Sequence, residues 1–540
     1  MRSARASLAG PWLVLGVPVV LLGAACGGGA PTTPPGGAGG VPGLGGTTGG
    51  GPDGGASGGG GVSSGAGGLG GGDPGAGGTT GAAGGSGAGG AVVVEPKLIT
   101  SGQGAYWKTG TWTELPSAIA DLTVNDTTVK QTWNGFGGTF NEAGWNVLSM
   151  LSASDRDQAM HLLFDAQNGA RLVYGRIPIG ASDYATSRYT DDETPNDFTM
   201  ASFSISRDQQ ALIPYIKAAL AINPNLHLWA SPWTPPTWMK DNAAFDGGNM
   251  KDDAQVLQAL ALYLAKWVQA YAGQGVKIEA VHHQNEPGYN TNYPSCLWTP
   301  ALYDKFVATY LGPTFASQNV AAQIYLGTMS NGDAGKDGTI LSTVTADTTA
   351  MKYIKGFGLQ WNMLPSVGGL VSRGLPILQT EHKCGNYPWN PAGFPAFNPN
   401  QAPNDHAYAV ESWGNIHDWI VAGANVYSAW NMVLDTFGKN IDSVRPWPQN
   451  ALLTVDTATR TLNVTPAYYV FRHISQYVDV GAKVLGTTGV DGLAFKNPDG
   501  TLVAIVHNGV ATSKNMIVAM GGKRYQFTVP ANGFATLNPQ

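Results

Sequence analysis

Between Thr132 and Trp430, short apolar runs alternate with longer amphipathic ones. That alternation restricts the fold more than any other feature. Strands separated by helical segments pair in parallel, with the helices covering the sheet. The candidate strands are Arg171–Ile177, Leu226–Ala230, Lys277–His283, Gln323–Gly327, Tyr353–Leu359, Pro376–Thr380 and Asn425–Trp430. A glycine-loosened first strand precedes them at Phe136–Phe140. The helical segments are Ser154–Asp165, Asp208–Ile222, Asp252–Ala272, Pro300–Ala316 and His406–Val421. In Asp252–Ala272 the residues Val256, Leu257, Leu260, Leu264, Trp267, Val268 and Tyr271 recur at helical spacing. The helix after Tyr353–Leu359 is poorly signalled. The pattern predicts an α/β fold, a closed (β/α)8 TIM barrel over residues 131–450.

The flanks follow a different rule. In residues 451–540 short strand-like runs alternate with turns, among them Leu502 to Val506, Met516 to Met520 and Tyr525 to Val529, with a hairpin turn at Asn497 to Gly500. An appended all-β sandwich is expected there. The Thr/Val-rich pieces of 92–130 are expected to add strands to it, and the helical stretch Pro466–Val480 to join the two bodies. Residues 1–26 read as an export signal: Arg2 and Arg5, then the apolar run Trp12–Leu22, then small residues up to Cys26. Cys26 is a candidate lipidation site. Residues 27–91 are nearly all Gly, Ala, Ser, Thr and Pro, which cannot build a core and so predict a disordered linker.

A formal charge of -6 gives no basic face for nucleic acid. Membrane contact is expected only through a lipid on Cys26. The other cysteines, Cys296 and Cys384, each follow a carboxylate of interest and are a candidate disulfide.

The chemistry gathers where apolar runs end. Asn285, Glu286 and Pro287 follow Lys277–His283, and Glu381 follows Pro376–Thr380. Barrel active sites are built at the C-terminal ends of strands. Retaining glycoside hydrolysis needs a nucleophilic carboxylate and a protonated acid about 5–5.5 Å apart. Only a closed fold brings residues so distant in sequence together, and the fourth and seventh strands face each other across a barrel mouth. Arg176 to Tyr184, Ser231 to Lys240, and Trp430 with Asn431 fall on the same face.

Those stretches, with Gly135 to Ala143, Tyr427 to Asn431 and Ala467 to Tyr477, resemble glycoside hydrolase family 30 over about residues 98 to 540. The family is similar in kind to lysosomal glucosylceramidase and microbial β-1,6-glucanases. The resemblance implies Glu286 as the general acid/base and Glu381 as the nucleophile. It implies that Asn285 donates to the sugar 2-hydroxyl, that Arg176 keeps Glu381 ionised and that Asp183 accepts hydroxyls at the far side of the ring. Trp233 and Trp430 would wall the subsite of the reacting sugar. Where glucosylceramidases carry a His-Trp-Tyr run after the sixth strand, this chain has Gln360, Trp361 and Asn362. Trp361 is therefore a candidate substrate contact, and the tyrosine beside the nucleophile is missing. The segment Tyr289 to Trp298 is expected to shape the leaving-group side.

His282 and His283 are not expected to bind a metal, because neighbouring side chains on a strand face opposite ways. No cofactor is expected. Together these features point to an exported β-glycosidase acting on a β-glucan or other β-glucoside, as a β-glucosidase or endo-β-1,6-glucanase. Glucosylceramidase-type action on a glycolipid is the alternative. A non-catalytic carbohydrate-binding surface protein is the alternative from another class.

Overall fold

A computed structural model describes residues 97–332, 337–382, 404–442 and 449–539. The stretches read as an export signal and a linker, with Cys26 and Cys384, lie outside the described residues.

Eight parallel strands close a barrel: β1 (Gly135–Thr139), β2 (Tyr174–Ile179), β3 (His227–Pro232), β4 (Ala280–His282), β5 (Gln323–Met329), β6 (Ile354–Gln360), β7 (Ile377–Glu381) and β8 (Val426–Asp435). Each pairs in parallel with the next, and β8 pairs with both β7 and β1, which completes the ring. The glycines that weaken β1 in the sequence serve close approach. A Cβ on Gly138 would lie 2.3 Å from Met432 Cγ, and one on Gly137 would lie 2.6 Å from Tyr174 Cβ.

The covering helices follow the expected alternation. Ala254–Gly273 is the longest, and Asp253 caps it by accepting from the backbone N–H of Gln255 and Val256. The poorly signalled helix after β6 is real but short, Leu364–Val371, entered through a 3-10 turn at Trp361–Met363. Its interior holds Gly368 and Gly369, poor helix formers that blur the sequence pattern.

The second body is a ten-stranded β-structure in which N-terminal strands interleave with C-terminal ones. Lys97–Gly102 pairs with Phe534–Asn538, and Leu122–Trp133 lies between Ala482–Gly489 and Lys514–Met520. The boundary expected at 451 falls too early. Ala451–Asp456 pairs in parallel with the far half of β8 and forms a hairpin with Thr461–Val464. These residues therefore extend the barrel sheet, because β8 runs on past the barrel rim and offers a free edge. Helix Pro466–Ser475 joins the bodies. Its Tyr468 hydroxyl donates to Leu162 O on the barrel side, and His473 bonds Ser101 and Thr536 on the other.

Candidate active site

The ends of β2, β3, β4, β6 and β7 converge on one buried polar cluster. Arg176, on β2, is fully buried. Its Nη1 donates to Glu381 Oε2 at 2.7 Å, and its Nη2 to Asn285 Oδ1 at 2.6 Å. Ser231, on β3, accepts from Nε and Nη2 at 3.1 and 3.0 Å. The guanidinium lies over the rings of Trp233 at 4.2 Å and Trp430 at 5.3 Å. Trp229 lies at 5.3 Å too, so one residue spends its fork on a carboxylate, an amide and a hydroxyl and its face on three indoles.

Asn285 is oriented by this cluster. Its Oδ1 accepts from Arg176, from Thr328 Oγ1 at 2.7 Å and from Gln360 Nε2 at 2.9 Å. Three donors on the oxygen turn the amide NH2 outward, free to donate to a ligand. The peptide that carries it is held too: Asn285 N donates to Pro232 O and Glu286 N to Thr328 O, at 2.8 and 2.9 Å. These bonds to the strands on either side hold Glu286 at a φ of 47°, a left-handed conformation that costs a non-glycine residue about 1 kcal/mol or more.

The two carboxylates are treated differently. Glu381 accepts from Arg176, from Gln360 Nε2 at 3.2 Å and from Trp361. Glu286 accepts from Tyr293 OH at 2.9 Å. Burial pushes Glu286 well above the ordinary carboxylate range, and the charge of Glu381 pushes it further. Burial also raises Glu381, but there the guanidinium of Arg176 opposes it. Between two coupled carboxyls the one with the cation keeps the charge and the other keeps the proton.

The structure brings together Glu286, Glu381, Arg176 and Asn285, with Trp361 at the edge beside Glu381. Asp183 lies in the loop after β2, buried and close enough to act electrostatically on Glu286 and Arg176. Trp233 and Trp430 stack on each other at 5.4 Å. They form one continuous apolar wall, not two walls facing across a subsite. His282 and His283 turn opposite ways, the first onto Trp229 and Tyr325, the second onto Trp298, Tyr303 and Phe306. Among the described residues no group of three or more His, Cys, Asp or Glu is placed to hold a metal. Cys296 is a buried free thiol; its expected partner Cys384 is outside the described residues.

Three contributors went unread in the sequence. In the sequence Gln360 is only a departure from the family run, yet it donates to Glu381. Thr328 carried no signal beyond its place at the end of an apolar run. Tyr293 was one residue in a loop with no periodic pattern.

Residues 133–478 match the glycosyl hydrolase family 30 TIM-barrel domain, and residues 475–537 the glycosyl hydrolase family 30 beta sandwich domain. The chain is 27% identical over 402 residues to the lysosomal acid glucosylceramidase of Mus musculus, covering 69% of this chain and 74% of that protein. It is 26% identical over 456 residues to the endo-1,6-beta-D-glucanase neg1 of Aspergillus fumigatus, covering 77% and 87%. The solved structure of the endo-beta1,6-glucanase BT3312 superposes with a TM-score of 0.71 at 24% identity, over 82% of this chain and 98% of that one, a likeness of fold.

Proposed function

The chain belongs to glycosyl hydrolase family 30, and from that premise we propose that it hydrolyses β-glucosidic bonds by double displacement at Glu286 and Glu381. The observation that carries this is the unequal treatment of the two carboxyls: Arg176 binds Glu381 at 2.7 Å while Glu286 has a phenol as its donor. Glu381 attacks the anomeric carbon as the C–O bond to the leaving group breaks. Glu286 gives its proton to the departing oxygen. Glu286, now a carboxylate, then takes a proton from water as that water displaces Glu381. The Asn285 amide donates to the sugar 2-hydroxyl, Asp183 accepts from hydroxyls across the ring, and the Trp233–Trp430 wall covers an apolar sugar face.

The preferred substrate is a β-glucan cut at β-1,6 bonds or a smaller β-glucoside. Two features support this choice: relatives include an endo-1,6-beta-D-glucanase, and the N-terminal 26 residues have the pattern of an export signal, which brings an enzyme to extracellular polysaccharide. Glucosylceramide is the second reading, favoured by the glucosylceramidase relatives. Export, and a lipid anchor at Cys26, belong to the same proposal.

A panel of β-1,6-glucan, β-1,3-glucan, xylan, glucosylceramide and an aryl β-glucoside tests it. Release of sugar from the aryl glucoside and from β-1,6-glucan is expected. Activity on glucosylceramide without glucan cleavage selects the second reading. Binding to glucans with no turnover of any member makes the chain a carbohydrate-binding protein.

A further inference from the structure

The loop after β4, from Gly288 to Trp298, is pinned at several points. Arg188 holds Asp246 through two bonds of 2.7 and 2.8 Å and also donates to Asn292 O at 3.0 Å. Lys240, buried, donates to Ser295 O at 2.6 Å, and Gly247 N donates to Ser295 Oγ at 2.9 Å. Between the two pinned points sits Tyr293. Its ring is buried in a cluster with Tyr184, Trp233 and Trp430, and its hydroxyl donates to Glu286 Oε2. No other hydrogen bond reaches the Glu286 carboxyl among the described residues, so the two oxygens of that carboxyl are chemically distinct.

We infer that Tyr293 is a positioning residue that fixes which oxygen of Glu286 carries the proton. This rests on the β-glycosidase reading of the site. A phenol donating to Oε2 disfavours a proton there, so the proton sits on Oε1. As the glycosidic bond breaks, that proton passes from Oε1 to the leaving oxygen, and the negative charge left on Glu286 gains strength from the bond at Oε2. In the second half-reaction Oε1 takes the proton of the attacking water. The proton of Tyr293 never moves: burial and the neighbouring Glu286 hold its phenol well above its ordinary value.

The other charged groups that act on Glu286 are Glu381 on β7, Asp183 after β2, Asp337 after β5 and Arg176 on β2. The phenol is the hydrogen-bond donor that pulls the Glu286 carboxyl down, and the more distant Arg176 cation acts in the same direction. Tyr293→Phe keeps the ring and its packing and leaves all four in place. A hydrogen bond to a charged group is worth about one to two pH units.

The test is the pH profile of kcat/KM for the full chain and for Tyr293→Phe, on β-1,6-glucan and on an aryl β-glucoside with a good leaving group. The alkaline limb, which reports loss of the proton from Glu286, is expected to move up by about one to two pH units. The fall in rate should be larger on the glucan, which needs the proton more. Arg188→Met, which frees the loop without touching the ring, should move the limb the same way by less. An unmoved limb with equal loss on both substrates would make Tyr293 a packing residue only. A limb that moves down would overturn the inference as well. A wild-type chain inactive on every β-glycoside would sink the proposed function itself. An active wild type with an unmoved limb in the variant sinks only the role of Tyr293.

Discussion

The floor and the rim of the site are built on different principles. The floor around Glu381 draws its donors from strand ends: Arg176 from β2 and Gln360 from β6, with Asn285 oriented by the same groups. The rim around Glu286 is made of loops: Tyr293 reaches the carboxyl itself, and Arg188, Lys240 and Asp337 hold the backbone around it. The barrel ring dictates the floor's geometry, whereas side chains must fasten the rim to its neighbours. The Glu381 side is therefore set by the fold, and the Glu286 side by loop composition.

If the division holds, the largest losses come from the carboxylates themselves. Glu381→Gly should bring turnover below detection on every substrate. Glu286→Ala should cost about 10²–10⁴-fold on glucan and much less on an activated aryl glucoside, because a good leaving group needs little protonation. Equal losses on both substrates would mean that the two residues do not have separate roles.

Next is the floor's cation. Arg176→Met leaves Glu381 buried without its partner, which costs about 3–5 kcal/mol and should show as a large fall in Tm. With the opposing cation gone, burial raises Glu381 further, so the acidic limb of kcat/KM should also move up. A variant with unchanged Tm and limb would mean that strand geometry alone holds the floor.

The rim's contribution is smaller and depends on pH. Asp337 accepts from the backbone N–H of Gly288 and Ser330, both at 2.6 Å, and ties the loops after β4 and β5 together. Burial raises its carboxyl to about 6, against those donors. A raised folded value adds stability that is whole below the unfolded value near 4 and is lost as the pH climbs through about 6. Between pH 4 and 6 the wild type should therefore lose about 2–3 kcal/mol more than Asp337→Asn. Denaturant midpoints at the two pH values measure this, and parallel curves would remove Asp337 from the ledger of the rim.

The same division explains what the sequence revealed. Strand alternation places Glu286 and Glu381 at strand ends, because a periodic pattern locates most strand ends to within a residue or two; the resemblance, not the pattern, points to Arg176 and Asn285 as their partners. The alternation missed the extension of the barrel sheet at Ala451–Asp456, because an edge strand and a sandwich strand share one pattern. It left Tyr293 unassigned, because nothing periodic says where a tyrosine in a loop points. The paired indoles were named, but their stacking into one wall depends on ring orientation, which spacing does not encode.

The most direct test of the division of labour is chemical rescue of Glu381→Gly with azide, with the product's anomeric configuration read by NMR. Azide filling the space of a nucleophile attacks from the face opposite the leaving group, so an α-glycosyl azide is expected. A β-glycosyl azide would show that Glu381 is the acid/base and that the charged and protonated carboxyls have been assigned the wrong way round.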